Sequence, residues 1–124
     1  MPYSTQWEEK GIYWKYSGTV THADILNSND EFYRDERSDN ASYQLVDCSK
    51  VDCFEVLSNT IATVAALDYA SSHYLKDLKI ALVAKDAETR DIYQQYLDLS
   101  QKLHIKWNIE LFEDVESARN WINA

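Results

Sequence analysis

Hydrophobic positions between residues 43 and 122 alternate between two spacings, one typical of strands and the other typical of helices. Short apolar runs at residues 43–47, 78–84 and 105–112 predict strands. After each run, apolar residues recur every three or four positions, which is the pattern of a helix that packs on one side. This alternation is typical of a largely parallel sheet covered by helices.

Two more strands are predicted near the N-terminus. Residues 11–20 are rich in aromatic and β-branched side chains and predict a long strand. Residues 8–11 can turn the chain, so that residues 3–7 form a short antiparallel edge strand. Residues 78–84 are almost entirely apolar, as in a central strand, whereas residues 105–112 alternate with polar residues, as in an edge strand.

Four helices are predicted from their first residues and their apolar stripes. Three of them begin at a residue that can cap a helix, namely Thr21, Asp86 or Asp114. The remaining helix covers residues 58–74. Its expected buried stripe consists of Leu57, Ile61, Val64, Leu67, Ser71 and Leu75. Residues 34–40 are polar and are expected to form a loop.

The size and composition of the chain suit one folded unit. A length of 124 residues is typical of one domain, and an apolar content of 45% is ample for its core. We therefore predict a single α/β domain over residues 1–124, with a mixed, mostly parallel sheet of about four or five strands and about three or four helices.

The charge of the chain limits its partners. Twenty-one acidic residues against twelve basic ones give a formal net charge of −9. This charge repels a phosphate backbone, and no run of Lys or Arg offsets it locally, so neither nucleic-acid binding nor docking on an anionic membrane is expected. No apolar run is long enough to span a bilayer, and the N-terminal residues lack the features of a signal peptide. We expect a cytoplasmic protein whose acidity keeps it dissolved or complements a basic partner.

The chain has few of the residues from which cofactor and catalytic sites are usually built. Cys48 and Cys53 fit neither a CxxC motif nor a zinc half-site and are expected to be free thiols. Two glycines cannot line a phosphate-binding loop, and no Ser/His/Asp or Cys/His arrangement is recognisable. We predict no cofactor, no metal site, no catalytic residue and no enzymatic activity.

Carboxylates gather at the predicted carboxyl ends of the strands, where open α/β sheets usually bind ligands. With their neighbours, these candidates are Asp47, Ser49, Asp52, Asp86, Glu113 and Asp114. Together they could bind a divalent cation or tune a general acid. The alternative is that Asp86 and Asp114 cap helices and that Asp47 makes an ordered contact in the loop expected after its strand.

The helix predicted at residues 58–74 carries further candidates. Asp68 lies at the edge of the buried stripe, where it either accepts a hydrogen bond from the backbone or a tyrosine hydroxyl, or lines a pocket. The opposite side of the helix carries Ala62, Ala66, Tyr69, Ala70 and His73. This side is either an exposed face of good helix formers or a surface for self-association.

Asp47, Ser49 and Val51 follow one another as the end of a predicted strand and the start of a turn. This outline resembles the STAS-type domains of anti-sigma-factor antagonists and their SpoIIAA-like relatives. Residues 111–122 are similar to the last strand of that family and its Ala…Trp helix, so the resemblance covers residues 10–123. It implies a STAS-like fold and a regulatory module that binds another protein.

The resemblance also implies where a regulatory site would lie. In the antagonists, serines at the start of the next helix carry a phosphorylation switch. Here Glu55 takes the place of the family's Asp, and Ser58 takes that of its glycine. Val56 and Leu57 take the places of the serines, so the switch is expected to be lost unless Ser58 or Thr60 substitutes. Capping the helix is the simpler role for Ser58.

Three functions remain open from the sequence. The first is a non-enzymatic interaction or regulatory module of STAS-like type, with a homodimer as its specific form. Its candidate surfaces are the Tyr69 and His73 side of the helix and the turn at residues 49–58. The alternative is a small-ligand or lipid carrier of Sec14-like architecture, which requires a pocket of about several hundred Å³ lined by Tyr and Trp. The third is an enzyme that uses Asp47 and Asp68, which requires both carboxylates in one site.

Overall fold

The computed structural model describes residues 2–75 and 77–124, which form five strands, four α-helices and one short 3₁₀ helix. The strands are β1 (Tyr3–Trp7), β2 (Gly11–Thr21), β3 (Tyr43–Glu55), β4 (Lys79–Val83) and β5 (Asn108–Phe112). The helices are α1 (His22–Arg34), α2 (Ser58–Ser71), α3 (Ala87–Lys102) and α4 (Val115–Ile122), and the 3₁₀ helix spans Glu36–Asn40. Within the described residues, no helix has both the length and the apolar character needed to cross a bilayer.

The five strands form one sheet in the order in which they occur in the chain. β1 is antiparallel to β2, and the remaining neighbours are parallel. The predicted mixed, mostly parallel sheet is therefore confirmed, with β1 and β5 at the edges and β4 in the interior. The single α/β domain follows from this sheet and the helices that cover it.

The helices divide unequally between the two faces of the sheet. Connections between neighbouring parallel strands are right-handed. Because the strands follow the chain order across the sheet, α1, α2 and α3 all pack on the same face. α4 follows the last strand and covers the other face, where Ala118 packs against Leu45, Ala81 and Val83. Doubly wound sheets bind ligands where the strand order reverses, and the order of the described strands does not reverse.

β3 is much longer than predicted. The sequence indicated a strand at residues 43–47 followed by a loop, but residues 50–55 continue the strand and pair in parallel with β2 as far as Thr21 and Glu55. Two register shifts in β2 and β3 accommodate this extension. The prediction was wrong because four of residues 48–55 are polar or charged and interrupt the apolar run, whereas pairing with β2 stabilises the extended backbone.

The first residues of α1, α3 and α4 confirm the predicted caps. The side chains of Thr21, Asp86 and Asp114 each accept a backbone N–H bond from the first turn of their helix. α2 differs, because its N-cap residue is Leu57 and no side chain caps it. The expected capping role of Ser58 is therefore wrong: Leu57 is the last residue with an extended backbone, and Ser58 already lies in the first turn.

The buried stripe of α2 is rotated relative to the prediction. It consists of Thr60, Ile61, Val64, Ala65, Asp68 and Ser71. Leu57 and Leu67, which were expected in the stripe, are 64% and 45% exposed. The polar Asp68 lies in the middle of the buried face rather than at its edge. The main departure from the expected pattern is therefore that an aspartate is buried where leucines were expected.

Several boundaries also differ from the prediction. α2 ends at Ser71 instead of residue 74, and β5 begins at Asn108 instead of residue 105. His104 has a left-handed backbone (φ 57°), so the chain reverses there before β5 can begin. The residues expected as a polar loop after α1 include the 3₁₀ helix, which Asp35 caps by accepting the N–H of Arg37.

Candidate functional site

The best-defined polar site lies in the layer between the sheet and α1, α2 and α3, and Asp68 is its centre. This carboxylate on α2 is 2% exposed. One oxygen accepts the hydroxyl of Tyr33 on α1 at 2.5 Å, and the other accepts the hydroxyl of Tyr96 on α3. Asp68 therefore links all three helices of this layer, and the expected tyrosine hydrogen bond is present.

Burial governs the acidity of Asp68. Removal from water raises the pKa of its carboxyl from 3.8 to about 6, because the charged form is poorly solvated there. The hydroxyls of Tyr33 and Tyr96 oppose this shift by donating to the carboxylate, but they do not cancel it. In turn, burial and the neighbouring carboxylate raise the pKa of both tyrosines. Asp68 consequently changes charge within an ordinary range of pH.

Asp68 also lines a cavity, so both alternatives raised from the sequence hold at once. The cavity has a volume of about 60 Å³ and lies under α1, α2 and α3 against the faces of β2, β3 and β4. Most of its wall is apolar or aromatic. A lipid carrier requires several times this volume, on the order of several hundred Å³. This cavity therefore does not supply the space that the Sec14-like alternative needs.

Two buried polar groups in the same cavity have no partner within the described part of the chain. They are the indole N–H of Trp14 on β2 and the side-chain amide nitrogen of Gln44 on β3. Trp14 is 1% exposed and Gln44 is 3% exposed. Buried polar groups in native structures are usually hydrogen-bonded, so these two donors mark the cavity as a place where an acceptor fits.

The carboxylates predicted at the strand ends do not form a metal site. Asp86 and Asp114 serve as helix caps, as the alternative reading expected. Asp47 accepts the backbone N–H of Ser49 at 2.9 Å and the hydroxyl of Tyr13 at 3.4 Å. Among the described residues, no cluster of three His, Cys, Asp or Glu side chains could hold a metal ion.

Asp47 and Asp68 lie on opposite faces of the sheet. Asp47 is hydrogen-bonded to Tyr13, which packs against the α4 side, whereas Asp68 lies in the layer of α1, α2 and α3. The sheet separates the two carboxylates, so they do not share a site. An enzyme that uses this pair is therefore not supported.

The residues aligned with the family's regulatory segment lie along β3 and at the start of α2. Asp47, Ser49 and Glu55 belong to β3, and Glu55 and Ser58 are exposed. Thr60 is fully buried, and its hydroxyl is hydrogen-bonded to Nδ1 of His22. Thr60 is thus inaccessible to a kinase, while Ser58 remains open to solvent.

The outer face of α2 carries most of the large exposed hydrophobic side chains among the described residues. We define this α2 outer face as Ala62, Ala66, Leu67, Tyr69, Ala70, His73 and Tyr74, which are all exposed. Tyr69 and His73 contact edge to face, with ring centroids 4.9 Å apart. The large exposed hydrophobic side chains of the described residues are Leu57, Leu67, Tyr69 and Tyr74, and they all lie on α2 or next to it.

Sequence reasoning missed Trp14 and Gln44 as site residues. The sequence placed Trp14 and Gln44 in the strands predicted at residues 11–20 and 43–47, and neither was assigned a role in a site. A polar side chain between Tyr43 and Leu45 was the available signal, because alternation places it on the opposite face from both. The sequence does not show that Tyr33 and Tyr96 converge on Asp68, because they lie on separate helices.

Comparison with known proteins bears on the fold alone. No protein-family model and no curated protein matches this chain. Its structure is similar to the crystal structure of an uncharacterised protein of the DUF3478 family, with a SpoIIAA-like fold, from Shewanella loihica PV-4. The two share 14% sequence identity with a TM-score of 0.55, and the similarity covers 97% of this chain and 91% of the other. This protein therefore has a SpoIIAA-like fold, as the resemblance predicted.

Proposed function

We propose that this protein is a non-enzymatic interaction module of STAS-like type, and that its α2 outer face binds a second copy of the chain. The observation that carries the proposal is the concentration of exposed hydrophobic side chains on α2 and in the residues next to it. Tyr69 is 39% exposed and Tyr74 is 67% exposed. Contiguous exposed apolar surface marks interaction sites more often than single exposed residues do.

The distribution of charge favours a second copy as the partner. Between Leu57 and Leu75 there is no Lys, Arg or Glu, and the one Asp, Asp68, is buried, although the chain carries a net charge of −9. Two copies of an acidic protein repel each other through most of their surfaces. They can meet at the α2 outer face without bringing like charges into contact. A basic partner, by contrast, would gain most from the acidic surfaces elsewhere on the molecule.

The small residues of the face suit contact between two helices. Ala62, Ala66 and Ala70 recur at every fourth position and therefore form one row along α2. A row of alanines lets a second helix approach closely, and Tyr69 and His73 flank the row with larger contact area. A two-fold axis across this row would place the same residues of both copies against each other.

The proposal is tested by the mass of the protein in solution. Light scattering coupled to gel filtration, from micromolar to millimolar protein, should show the wild type approaching the mass of a dimer. Tyr69→Lys should remain a monomer, because it places a cation in the apolar contact. Gln95→Lys, an exposed substitution of the same charge on α3, should behave as the wild type does. A wild type that stays monomeric at the highest concentration would overturn the dimer.

A further inference from the structure

The cavity around Asp68 contains unused hydrogen-bonding capacity that the α2 outer face does not explain. Its floor is formed by side chains of β2, β3 and β4, and its roof by side chains of α1, α2 and α3. Trp14 and Gln44 come from neighbouring strands, where Gln44 pairs with Ile12, two residues before Trp14. Both side chains therefore project from the same face of the sheet into the same cavity.

The other polar groups that line the cavity already have partners. The hydroxyl of Tyr16 is hydrogen-bonded to Ser28, and that of Tyr93 to the sulfur of Cys48 at 2.8 Å. The side-chain amide of Asn29, which also lines the cavity, donates to the carbonyl of Ile25 on the same helix at 2.9 Å. The indole N–H of Trp14 and the amide of Gln44 are the exceptions in this set. The cavity thus offers two donors without acceptors.

Asp68 supplies the complementary acceptor. Each of its oxygens accepts one tyrosine hydroxyl and retains a further lone pair. An occupant that satisfies all of these groups would accept hydrogen bonds from Trp14 and Gln44 and donate a hydrogen bond to Asp68. Because the carboxylate is buried, an anionic occupant would be repelled by it.

The volume of the cavity sets the size of the occupant. A 60 Å³ space holds a few water molecules, but each buried water needs roughly two to four polar partners, and most of this wall is apolar. A buried water-sized group needs about 15 Å³ of such a cavity, so 60 Å³ leaves room for an occupant of about four non-hydrogen atoms. A small molecule with one polar head and an apolar remainder fits this wall better than water alone.

We propose that the cavity is a binding site for a small neutral aliphatic amide. The carbonyl oxygen of such a molecule has two lone pairs, which match the N–H groups of Trp14 and Gln44. Its amino group donates to Asp68, and its alkyl group contacts the apolar wall. The site is separate from the α2 outer face, so binding at this site does not depend on the proposed dimer.

Acetamide is the probe for this site, and the indole N–H resonance of Trp14 is the signal to follow by nuclear magnetic resonance. Trp14→Phe identifies that resonance among the four tryptophans. At pH 7.5, acetamide should shift it in a saturable manner, and acetate, which has the same shape but a negative charge, should not. A crystal soaked in acetamide should contain the amide between Trp14, Gln44 and Asp68.

Gln44→Met keeps the volume of the side chain but removes the donor, so it should weaken acetamide binding at least tenfold. Gln95→Met, on the exposed surface of α3, is the matched control and should leave binding unchanged. If Gln44→Met does not fold, Asp68→Asn provides the second variant, because loss of the charge should allow acetate to bind. The proposal is overturned if acetamide gives no saturable shift, if acetate binds the wild type equally well, or if the soaked crystal contains water only.

Discussion

Replacing Asp68 by asparagine should remove one contribution to the pH dependence of the free energy of unfolding. In the unfolded chain the pKa of this carboxyl is 3.8, and burial raises it to about 6 in the folded protein. Below pH 3.8 the group is protonated in both states, and above pH 6 it is ionised in both. Between these values only the folded protein retains the proton. The contribution of Asp68 to the free energy of unfolding therefore decreases as the pH rises from 3.8 to about 6.

The size of the effect follows from the two pKa values. At 1.36 kcal/mol for each pH unit, the difference between 3.8 and about 6 corresponds to about 3 kcal/mol. Asparagine has nearly the same shape, can accept from one tyrosine and donate to the other, and has no charge to desolvate. The free energy of unfolding of Asp68→Asn minus that of the wild type should thus increase by about 3 kcal/mol between pH 3.5 and pH 7.

Urea denaturation of both proteins at several pH values measures this difference. Comparison with the wild type removes the contributions of the other carboxylates, which the two proteins share. Asp114→Asn is a control of opposite sign, because the N–H of Ser117 lowers the pKa of Asp114 in the folded state. Its disadvantage relative to the wild type should grow as the pH rises. A difference for Asp68→Asn that is constant, or that decreases with pH, would refute the reasoning about burial.

Two further substitutions test the packing of the fold. In Gly11→Ala, the new Cβ would lie 2.5 Å from the backbone oxygen of Tyr43, so a loss of about 2 kcal/mol or more is expected in urea denaturation, and unchanged stability would contradict this contact. Leu57→Ser should stabilise the protein by about 1 kcal/mol, because it places a capping hydroxyl at the uncapped start of α2 and removes a side chain that is 64% exposed. A loss of stability in that variant would show that Leu57 packs more than its exposure indicates.

The sequence predicted the fold well where the signal was local. The alternation over β2, the apolar run of β4 and the caps at Thr21, Asp86 and Asp114 each depend on a few neighbouring residues, and each was confirmed. The extension of β3 was not predictable in this way. Its residues 50–55 are extended because β2 lies beside them, and that pairing joins residues far apart in the chain.

The candidate site was less predictable for the same physical reason. Asp68 was recognised as unusual, since an acid on the inner side of a helix needs partners. Its partners Tyr33 and Tyr96 come from two other helices, and the unpartnered Trp14 and Gln44 come from two strands. Helical periodicity also predicted that Leu67 rather than Asp68 is buried, because periodicity takes no account of the hydrogen bonds that a buried acid can accept from other helices.

Cross-linking through the centre of α2 tests the proposed interface most directly. In a Cys53→Ser background, Ala66→Cys places a thiol in the middle of the α2 outer face, while Cys48 remains buried. Under mild oxidation this variant should form a covalent dimer in high yield, and Gln95→Cys on α3 should not. Equal yields from the two positions, or no covalent dimer from Ala66→Cys, would contradict the assignment of α2 as the surface through which this protein acts.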